Sequence, residues 1–329
     1  MGSDLPHYVV RPGEPSRQPP FACLGMQLYG FYVEGDRKTI QETMIDPVLN
    51  APRGSSHDQY RTFTDYVMVT YSYTEKCVST EMPDKDFGYV PEYCWTVWVP
   101  LLVVRKEGPL HVAQRVVMSP AFIQVDNEWS LVAGREVYGF PKNLGPLTIP
   151  LKGEDPALFC NSTLAIDTLG ADALATVQEV MRIERTKKLS TGAEVWEDLE
   201  QAIKAVSGFL HKKGGGLPVP GFNFILDLLK LAKHREVPAV FLKQFRDAAQ
   251  GATACYQGVI EAGCEVTRFG GGGVLDGDYM MTVADYQSIP IASSLGLDPA
   301  GVPCHFPFWA NIDFIVEDVK EVWRAGGHG

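Results

Sequence analysis

Strand-forming residues dominate the chain between residue 21 and about residue 184. Phe63–Tyr71 and Trp95–Val104 are dense in β-branched and aromatic residues and are bounded by Pro, Gly and Asp, which predicts two strands. The second is apolar on both faces, as expected of a strand that is covered on each side. Further strands are predicted near 111–118, 145–151, 157–166, 173–183, 253–269 and 308–316.

Helical spacing replaces the strand pattern after about residue 190. Thr191-Gly192-Ala193-Glu194 fits a capping box, and apolar residues recur every three to four positions from Val195 to Leu210, ahead of Gly214. The apolar segment Phe222–Lys230 predicts a second, more buried helix. The organisation predicted is a polar N-terminal arm (1–20) and one domain (21–329) with a helical insertion at about 186–235.

The net charge of the chain argues against two classes of binding partner. The 329 residues include 29 Lys and Arg against 40 Asp and Glu, a net charge of −11. An acidic surface repels both nucleic acid and anionic membranes, so neither is expected as a partner. We find no signal-peptide pattern and no run of 18 apolar residues, which predicts a cytoplasmic protein that acts on small molecules.

The cysteine, histidine and glycine patterns indicate no redox, metal or phosphate site. The seven cysteines are scattered without a CxxC pair, which favours reduced and mostly buried thiols. The seven histidines show no HExxH or paired spacing, so no metal site is predicted. Gly270–Gly273 is not followed by Lys and Ser or Thr, as a phosphate-binding loop requires, and is interpreted as a flexible loop at the mouth of a pocket.

One stretch of about twenty residues is more specific. It contains Gly134-Arg135-Glu136, then Phe140-Pro141-Lys142, then Leu144-Gly145. This arrangement resembles the signature of the acetoacetate decarboxylase family, and weaker resemblance covers most of the chain outside the helical insertion. The resemblance implies a mainly β (α+β) fold, a closed, curved antiparallel β-barrel with peripheral helices, and assembly into homo-oligomers.

The resemblance also implies that Lys142 forms a Schiff base with a keto substrate. The amine must be unprotonated to attack a carbonyl, and burial in an apolar pocket lowers the pKa of a lysine. Phe140 is one of the apolar neighbours expected to supply that pocket. In the family a second lysine follows the catalytic one, whereas Asn143 stands here, so we expect burial alone to lower the pKa of Lys142.

Three other family positions differ as well. Met26, Thr70 and Cys94 stand where the family carries an arginine and two glutamates. Glu92 lies two residues before Cys94, so on an extended strand both side chains point to the same face. Glu92 is therefore either an acid or base in the pocket or a solvated residue at the entrance of the strand.

The remaining candidates are assigned to the binding of substrate. Thr70 and Asn143 can form hydrogen bonds to a substrate carboxylate or hydroxyl, or merely satisfy backbone groups. Cys94 is expected to line the pocket. Arg135 and Glu136 would face opposite ways on an extended segment, which favours a structural role for Arg135 and leaves Glu136 as a further substrate-binding candidate.

The resemblance implies a carbon–carbon lyase that decarboxylates a β-keto acid through Lys142, and no cofactor or metal is predicted. Two alternatives stay open. The same imine can promote aldol condensation, retro-aldol cleavage, dehydration or cyclisation of a larger keto compound, or the chain is a binding protein that has kept the cavity without turnover. The insertion and the replaced residues favour a substrate bulkier than acetoacetate.

Overall fold

The structure is a computed structural model that describes residues 6–108, 110–189, 194–213 and 238–326. Strands form most of it, as the density of β-branched and aromatic residues predicts. The strands are β1 (Phe21–Glu34), β2 (Gln59–Thr62), β3 (Tyr66–Ser79), β4 (Val90–Glu107), β5 (Leu110–Val125), β6 (Lys142–Leu144), β7 (Leu147–Thr148), β8 (Leu158–Ala165), β9 (Thr176–Lys187), β10 (Val195–Trp196), β11 (Ala239–Arg246), β12 (Ala254–Val274), β13 (Asp278–Val283) and β14 (Val302–Arg324).

The helices in the described ranges are mostly short. They are α1 (Arg37–Ile40), which continues as a π-helix (Gln41–Asn50), a 3₁₀ helix (Asp84–Phe87), α2 (Glu128–Ala133), which continues as a π-helical turn (Gly134–Tyr138), α3 (Leu199–Lys213) and α4 (Ile291–Leu295). None of these described helices has both the length and the apolar character that crossing a membrane requires.

The strands follow one path of hydrogen-bonded neighbours, in the order β10-β12-β11-β5-β4-β3-β1-β14-β13-β9-β8-β7. β12 also pairs with β14, so β1, β3, β4, β5, β11, β12 and β14 are linked in a cycle. The first of these strands in the chain pairs directly with the last, since Phe21 is opposite Val316 and Cys23 is opposite Phe314. The mainly β fold predicted from the sequence is confirmed, whereas closure into a barrel stays a prediction.

Two pairings depart from the predicted antiparallel pattern. β5 runs parallel to β6, and it also pairs in parallel with β11, where Ala239 is opposite Met118. The chain between β5 and β6 crosses over through α2 and its π-helical turn, and such a crossover returns the next strand in the same direction. The segment that carries the family-like motif is this crossover.

Most predicted strands are present, with different bounds. Trp95–Val104 lies inside β4, where Val97 and Leu101 pack in the main core and Leu102 and Val104 pack in a smaller cluster on the other face. The strand predicted at 63–71 begins only at Tyr66. At 145–151 only two residues are in a strand, because Pro146 and Pro150 cannot donate to a ladder.

The helical insertion differs from its prediction at its start. Val195–Trp196 forms β10 on the edge of β12, and α3 begins at Leu199, with the Asp198 carboxylate accepting the N–H of Gln201 at 2.8 Å. Asp198, and not the predicted capping box, therefore caps this helix. Residues 191–193 and the helix predicted at Phe222–Lys230 lie outside the described residues.

The glycine run Gly270–Gly273 is part of β12, so the prediction of a loop there is wrong. Gly272 is opposite Ala310 of β14 and Trp196 of β10. A Cβ on Gly272 would lie 2.8 Å from the Trp309 carbonyl oxygen and 3.0 Å from the Trp196 ring. The glycines therefore permit two neighbouring strands to approach β12 closely.

Candidate active site

A cavity of about 350 Å³ is lined by residues of the long strands. Its walls come from β1, β3, β4, β5, β12 and β14, and from the α2 crossover. Most of the lining side chains are apolar, with Met26, Trp98 and Phe314 among them. Among the described residues, the charged groups that line the cavity are Arg17, Asp84, Glu92 and Lys142.

Lys142 enters this cavity from the start of β6. Its backbone is fixed by the parallel pairing of Lys142 with Ile123 of β5, directly after Pro141. Its side chain is 12% exposed, and Glu92 near the start of β4 is 11% exposed. The structure thus places in one cavity the two residues that the sequence nominated for chemistry.

The Lys142 amine makes three polar contacts. Nζ lies 3.4 Å from Oε2 of Glu92, and it donates hydrogen bonds to the Ser130 hydroxyl at 2.5 Å and to the Ser130 carbonyl at 3.2 Å. The Ser130 hydroxyl in turn donates to Oε2 of Glu92. The three side chains therefore form a continuous hydrogen-bonded chain from amine through hydroxyl to carboxylate.

Burial and charge act in opposite directions on Lys142. Burial lowers the pKa of Lys142 and the neighbouring Glu92 carboxylate raises it, and the net result is a pKa above the usual value for lysine. The expectation that burial alone sets this pKa is therefore wrong, because it left out the carboxylate. A raised pKa favours the ammonium form of Lys142 near neutral pH, and its Nζ lies within ion-pair distance of Glu92.

Gly134 leaves the space that the lysine side chain occupies. A Cβ at this position would lie 2.6 Å from Cδ and 2.8 Å from Cε of Lys142. Gly134 has ordinary helical angles (φ −63°, ψ −42°), so its backbone does not require glycine. The first residue of the Gly-Arg-Glu triplet is thus explained by contact with Lys142.

Gly134→Ala is expected to displace the amine without unfolding the protein. Alanine suits the helical backbone, but its methyl group must push the lysine stem aside, and a displacement of about 1 Å can reduce a rate by about 10²-fold. The rate of imine formation should therefore fall by at least about tenfold, while the melting temperature changes little. Gly208→Ala in α3, where a Cβ would meet nothing within 4 Å, is the matched control. Equal rates in the two variants would contradict this explanation.

Two predicted substrate-binding residues do not reach the cavity. The Asn143 and Glu136 side chains are exposed and do not line it. Glu136 lies on the π-helical turn, not on the extended segment considered from the sequence. Arg135 on the same turn donates from Nη1 to the Lys142 carbonyl oxygen at 3.1 Å, which holds the backbone of the lysine in place.

Thr70, Cys94 and Phe140 do line the cavity. The Thr70 hydroxyl donates to the Thr96 carbonyl at 3.3 Å and accepts from the Trp98 indole at 3.1 Å. Its one hydrogen is already used, so it offers a substrate only an acceptor. The Phe140 ring centroid lies 5.7 Å from Nζ of Lys142, within reach of a cation–π interaction.

Four of the seven free cysteines line the cavity, namely Cys23, Cys77, Cys94 and Cys264. Burial raises the pKa of Cys94 and of Cys264 to about 12. Both thiols are therefore protonated near neutral pH and act as small apolar groups. They leave Glu92 as the negative charge next to Lys142.

Arg17 is a cavity residue that the sequence did not indicate. It belongs to the segment expected to be a polar arm, yet it lines the cavity together with Pro15. Its guanidinium carbon lies 4.7 Å from the Trp129 ring centroid and 5.2 Å from that of Phe87, and its buried Nε has no hydrogen-bond partner among the described residues. Arg17 therefore brings a second cationic group to the cavity.

Ser130 was also missed. It lies in the quoted motif region, but a serine on a short helix is usually read as a capping or surface residue, and α2 itself was not predicted. Its spacing of twelve residues from Lys142 carries no signal, because only the crossover brings the two together. The helix cap at Asn127, which accepts the N–H of Ser130 at 2.9 Å, was the available clue.

Metal binding finds no support in the described part of the chain. No group of three or more His, Cys, Asp or Glu side chains there is arranged to hold an ion.

The site thus consists of a buried lysine that reaches a β-walled cavity from the end of a crossover segment. No protein-family model and no curated protein sequence matches the chain. Solved structures, in contrast, match the chain in fold. Acetoacetate decarboxylase from Legionella pneumophila aligns with a TM-score of 0.58 and 10% identity, covering 99% of this chain and 95% of that one.

Two further structures have the same fold. An acetoacetate decarboxylase-like enzyme from Sphingomonas wittichii RW1 aligns with a TM-score of 0.55 and 13% identity, covering 95% of this chain and 96% of that one. The enduracididine biosynthesis enzyme MppR, complexed with the condensation product of pyruvate and imidazole 4-carboxaldehyde, aligns with a TM-score of 0.53 and 11% identity and covers 98% of both chains. The chain thus has the acetoacetate decarboxylase-like fold, and the resemblance seen in its motif is confirmed at that level.

Proposed function

We propose that the chain is a Schiff-base-forming carbon–carbon lyase that acts on a β-keto acid or related keto compound through Lys142. The observation that carries this proposal is the buried Lys142 amine, in contact with Glu92 and Ser130 inside a mostly apolar cavity. An amine held out of water beside a proton acceptor is the arrangement that imine chemistry requires.

The cycle of seven paired strands around this cavity supports a barrel. Such a wall limits the access of water to the amine. Exclusion of water favours the condensation of an amine with a ketone, because that step releases water, and it strengthens the electrostatic interactions inside.

The first step is the loss of a proton from Lys142. The ammonium ion passes a proton to Glu92, directly or through the Ser130 hydroxyl, which already lies between the two. The transfer converts two buried charges into two neutral groups, which becomes more favourable when a substrate displaces water from the cavity. Glu92 then holds the proton that the loss of water from the carbinolamine consumes.

The neutral amine attacks the ketone carbon and forms a carbinolamine. Protonation of its hydroxyl by Glu92 expels water and leaves an iminium ion on Nζ. The bond between the α-carbon and the carboxylate then breaks, carbon dioxide leaves, and the electron pair moves into the iminium to form an enamine. A proton from solvent is delivered to the α-carbon, and addition of water to the new iminium releases the ketone and restores the Lys142 ammonium ion.

Arg17 is assigned to the carboxylate of the substrate. Its Nε has no hydrogen-bond partner in the described structure, and aromatic rings hold its guanidinium in place. A guanidinium fork matches a carboxylate in geometry as well as in charge. It therefore takes the place of the arginine that Met26 replaces.

Arg17→Gln is expected to weaken substrate binding more than chemistry. Loss of a charge-assisted hydrogen bond, worth about 1.5–3 kcal/mol, should raise KM for a keto acid by at least about tenfold. KM for an uncharged ketone in imine exchange should not change. Arg11→Gln, which removes an exposed arginine of the same arm, is the control. A similar rise in KM for both substrates would exclude this role.

Borohydride trapping tests the proposal as a whole. The protein is incubated with acetoacetate or pyruvate, reduced with borohydride, digested and analysed by mass spectrometry. The proposal expects the adduct on Lys142. Adducts on other lysines only would exclude Lys142 as the reactive amine. No adduct with reactive ketones present would exclude Schiff-base chemistry and leave a binding protein.

In a second candidate function the imine forms as before, but the substrate keeps its carboxylate. An ion pair with Arg17 stabilises the carboxylate in the ground state and so opposes its departure, and the fold is shared with MppR in complex with a condensation product. Aldol condensation, dehydration or cyclisation would then follow imine formation. Trapping without release of carbon dioxide from β-keto acids above the level of Lys142→Ala selects this candidate.

The described part of the helical insertion points away from substrate selection. Residues of α3 pack with Tyr32, Tyr66 and Trp196 in a separate cluster, and none of the described insertion residues lines the Lys142 cavity. We propose that this segment contributes to a contact between copies of the chain. Sedimentation of the protein as a monomer would exclude that role.

A further inference from the structure

A second cavity lies away from Lys142 and has a different character. Its volume is about 470 Å³, and it shares no lining residue with the first. Its walls come from the segment after the π-helix (53–58) and from β2, β4, β5, β12 and β14. The lining is mainly polar and carries the charged residues Arg53, Asp58, Arg105, Arg115, Glu261 and Lys320.

Both carboxylates of this cavity are already paired. Asp58 accepts two hydrogen bonds from Arg105, each at 3.1 Å. Glu261 accepts from Nη2 of Arg115 at 2.5 and 2.6 Å and from the Tyr60 hydroxyl at 3.0 Å. Arg105 and Arg115 are therefore neutralised by residues of the chain itself.

These pairs leave two cations, Arg53 and Lys320, and of the two Arg53 is the buried one. It is 8% exposed, and neither Nε nor Nη1 has a hydrogen-bond partner among the described residues. Its guanidinium carbon lies 4.9 Å from the Tyr60 ring centroid, which fixes the plane of the group. Burial of a guanidinium without a hydrogen-bond acceptor costs free energy. The arrangement therefore indicates that an anion binds next to Arg53.

The charge of the cavity indicates what kind of anion fits. Four basic and two acidic side chains line it, which leaves two positive charges in a protein whose net charge is −11. Arg53 supplies one, from the inside, and Lys320 supplies the other from an exposed position. A monoanion would leave one positive charge uncompensated, whereas a dianion neutralises both.

We propose that this cavity binds a phosphate dianion, either inorganic phosphate or the phosphate group of a small monoester, with Arg53 as its central ligand. Arg53 lines the cavity and is the guanidinium that no residue of the described chain pairs with a carboxylate, so it is available to the phosphate oxygens, and Lys320 adds charge at the rim. The volume exceeds that of phosphate alone and leaves room for the organic part of an ester. The site is separate from the proposed chemistry at Lys142 and does not depend on it.

Calorimetric titration of the full chain tests this site. Inorganic phosphate, glycerol 3-phosphate and acetate are titrated into the wild-type protein, Arg53→Gln, Arg53→Lys and Arg61→Gln. Arg61 is adjacent to Tyr60 and paired with Asp46 at 3.8 Å but does not line the cavity, so it matches the charge change. The melting temperature of each variant reports whether the fold is intact.

The site predicts saturable binding of phosphate or the ester, and little binding of acetate. Arg53→Gln should weaken binding by at least about tenfold, Arg53→Lys should lose part of it, and Arg61→Gln should stay within about twofold of wild type. Preference for glycerol 3-phosphate over phosphate would identify the monoester as the ligand, and equal affinity would identify free phosphate. Unchanged binding in Arg53→Gln and Arg53→Lys would overturn the proposal. So would an oligomer that dissociates in Arg53→Gln without any binding of phosphate, because Arg53 would then pair with a second copy of the chain.

Discussion

Lys142→Ala is expected to abolish turnover of keto acids, with kcat/KM falling by about 10³-fold or more. The variant has no amine to form the iminium, so the electron pair released by carbon–carbon cleavage has no acceptor, and loss of a covalent nucleophile has effects of this size or larger. The measurement is release of carbon dioxide from a β-keto acid, or of the condensed product if the carboxylate is retained.

Lys243 provides a demanding control for this variant. Burial lowers its pKa, although Glu136 and Glu321 oppose the shift, and its Nζ donates to the Val137 carbonyl at 2.8 Å. It is thus a second half-buried and potentially reactive amine close to the same crossover, but it does not line the cavity. Lys243→Ala should leave turnover within about twofold of wild type. Loss of turnover in Lys243→Ala with retention in Lys142→Ala would reverse the assignment.

Glu92→Gln should separate the two roles of the carboxylate. The charge of Glu92 raises the pKa of Lys142, so its removal lets burial dominate, and the pKa of Lys142 falls. Because the neutral amine exists above its pKa, the midpoint of the pH profile for imine formation should move to lower pH. Overall turnover should nevertheless decrease by about 10²-fold or more, since the variant has lost its proton carrier.

Glu128→Gln controls for the change in net charge, because Glu128 is exposed on α2 and does not line the cavity. Its profile should match that of wild type. A midpoint in Glu92→Gln that stays in place or moves to higher pH would show that the carboxylate does not govern the amine. A downward shift with full turnover would show that another group carries the proton.

The sequence predicted part of this site because some of its residues are near one another along the chain. Lys142 stands in a dense motif, and Glu92 and Cys94 follow from the period of a strand. Ser130 and Arg17 do not follow, since a crossover and an incoming segment bring them to the lysine. The pKa of Lys142 was misjudged for the same reason. The direction of its shift depends on a contact between Lys142 and Glu92, which lie fifty positions apart in the chain.

The same distinction applies to the fold. β4 was predictable because Trp95–Val104 is apolar throughout. β10 was not, because Val195–Trp196 also fits a helical pattern and becomes a strand only where the glycines of β12 offer an edge. Pro146 and Pro150 show the opposite case. The residues near them suit a strand, but the strand is limited to Leu147–Thr148 because proline has no backbone N–H to donate.

The pairing of β1 with β14 determines when the lysine cavity can exist. Phe21 and Met26 from one end of the described chain and Ile312 and Phe314 from the other share its wall. During synthesis the apolar faces of the N-terminal strands therefore stay exposed until nearly three hundred further residues have been added. Pairing between strands so far apart in the sequence slows folding. A nascent chain that already contains Lys142 should accordingly remain unreactive towards ketones until β14 has left the ribosome.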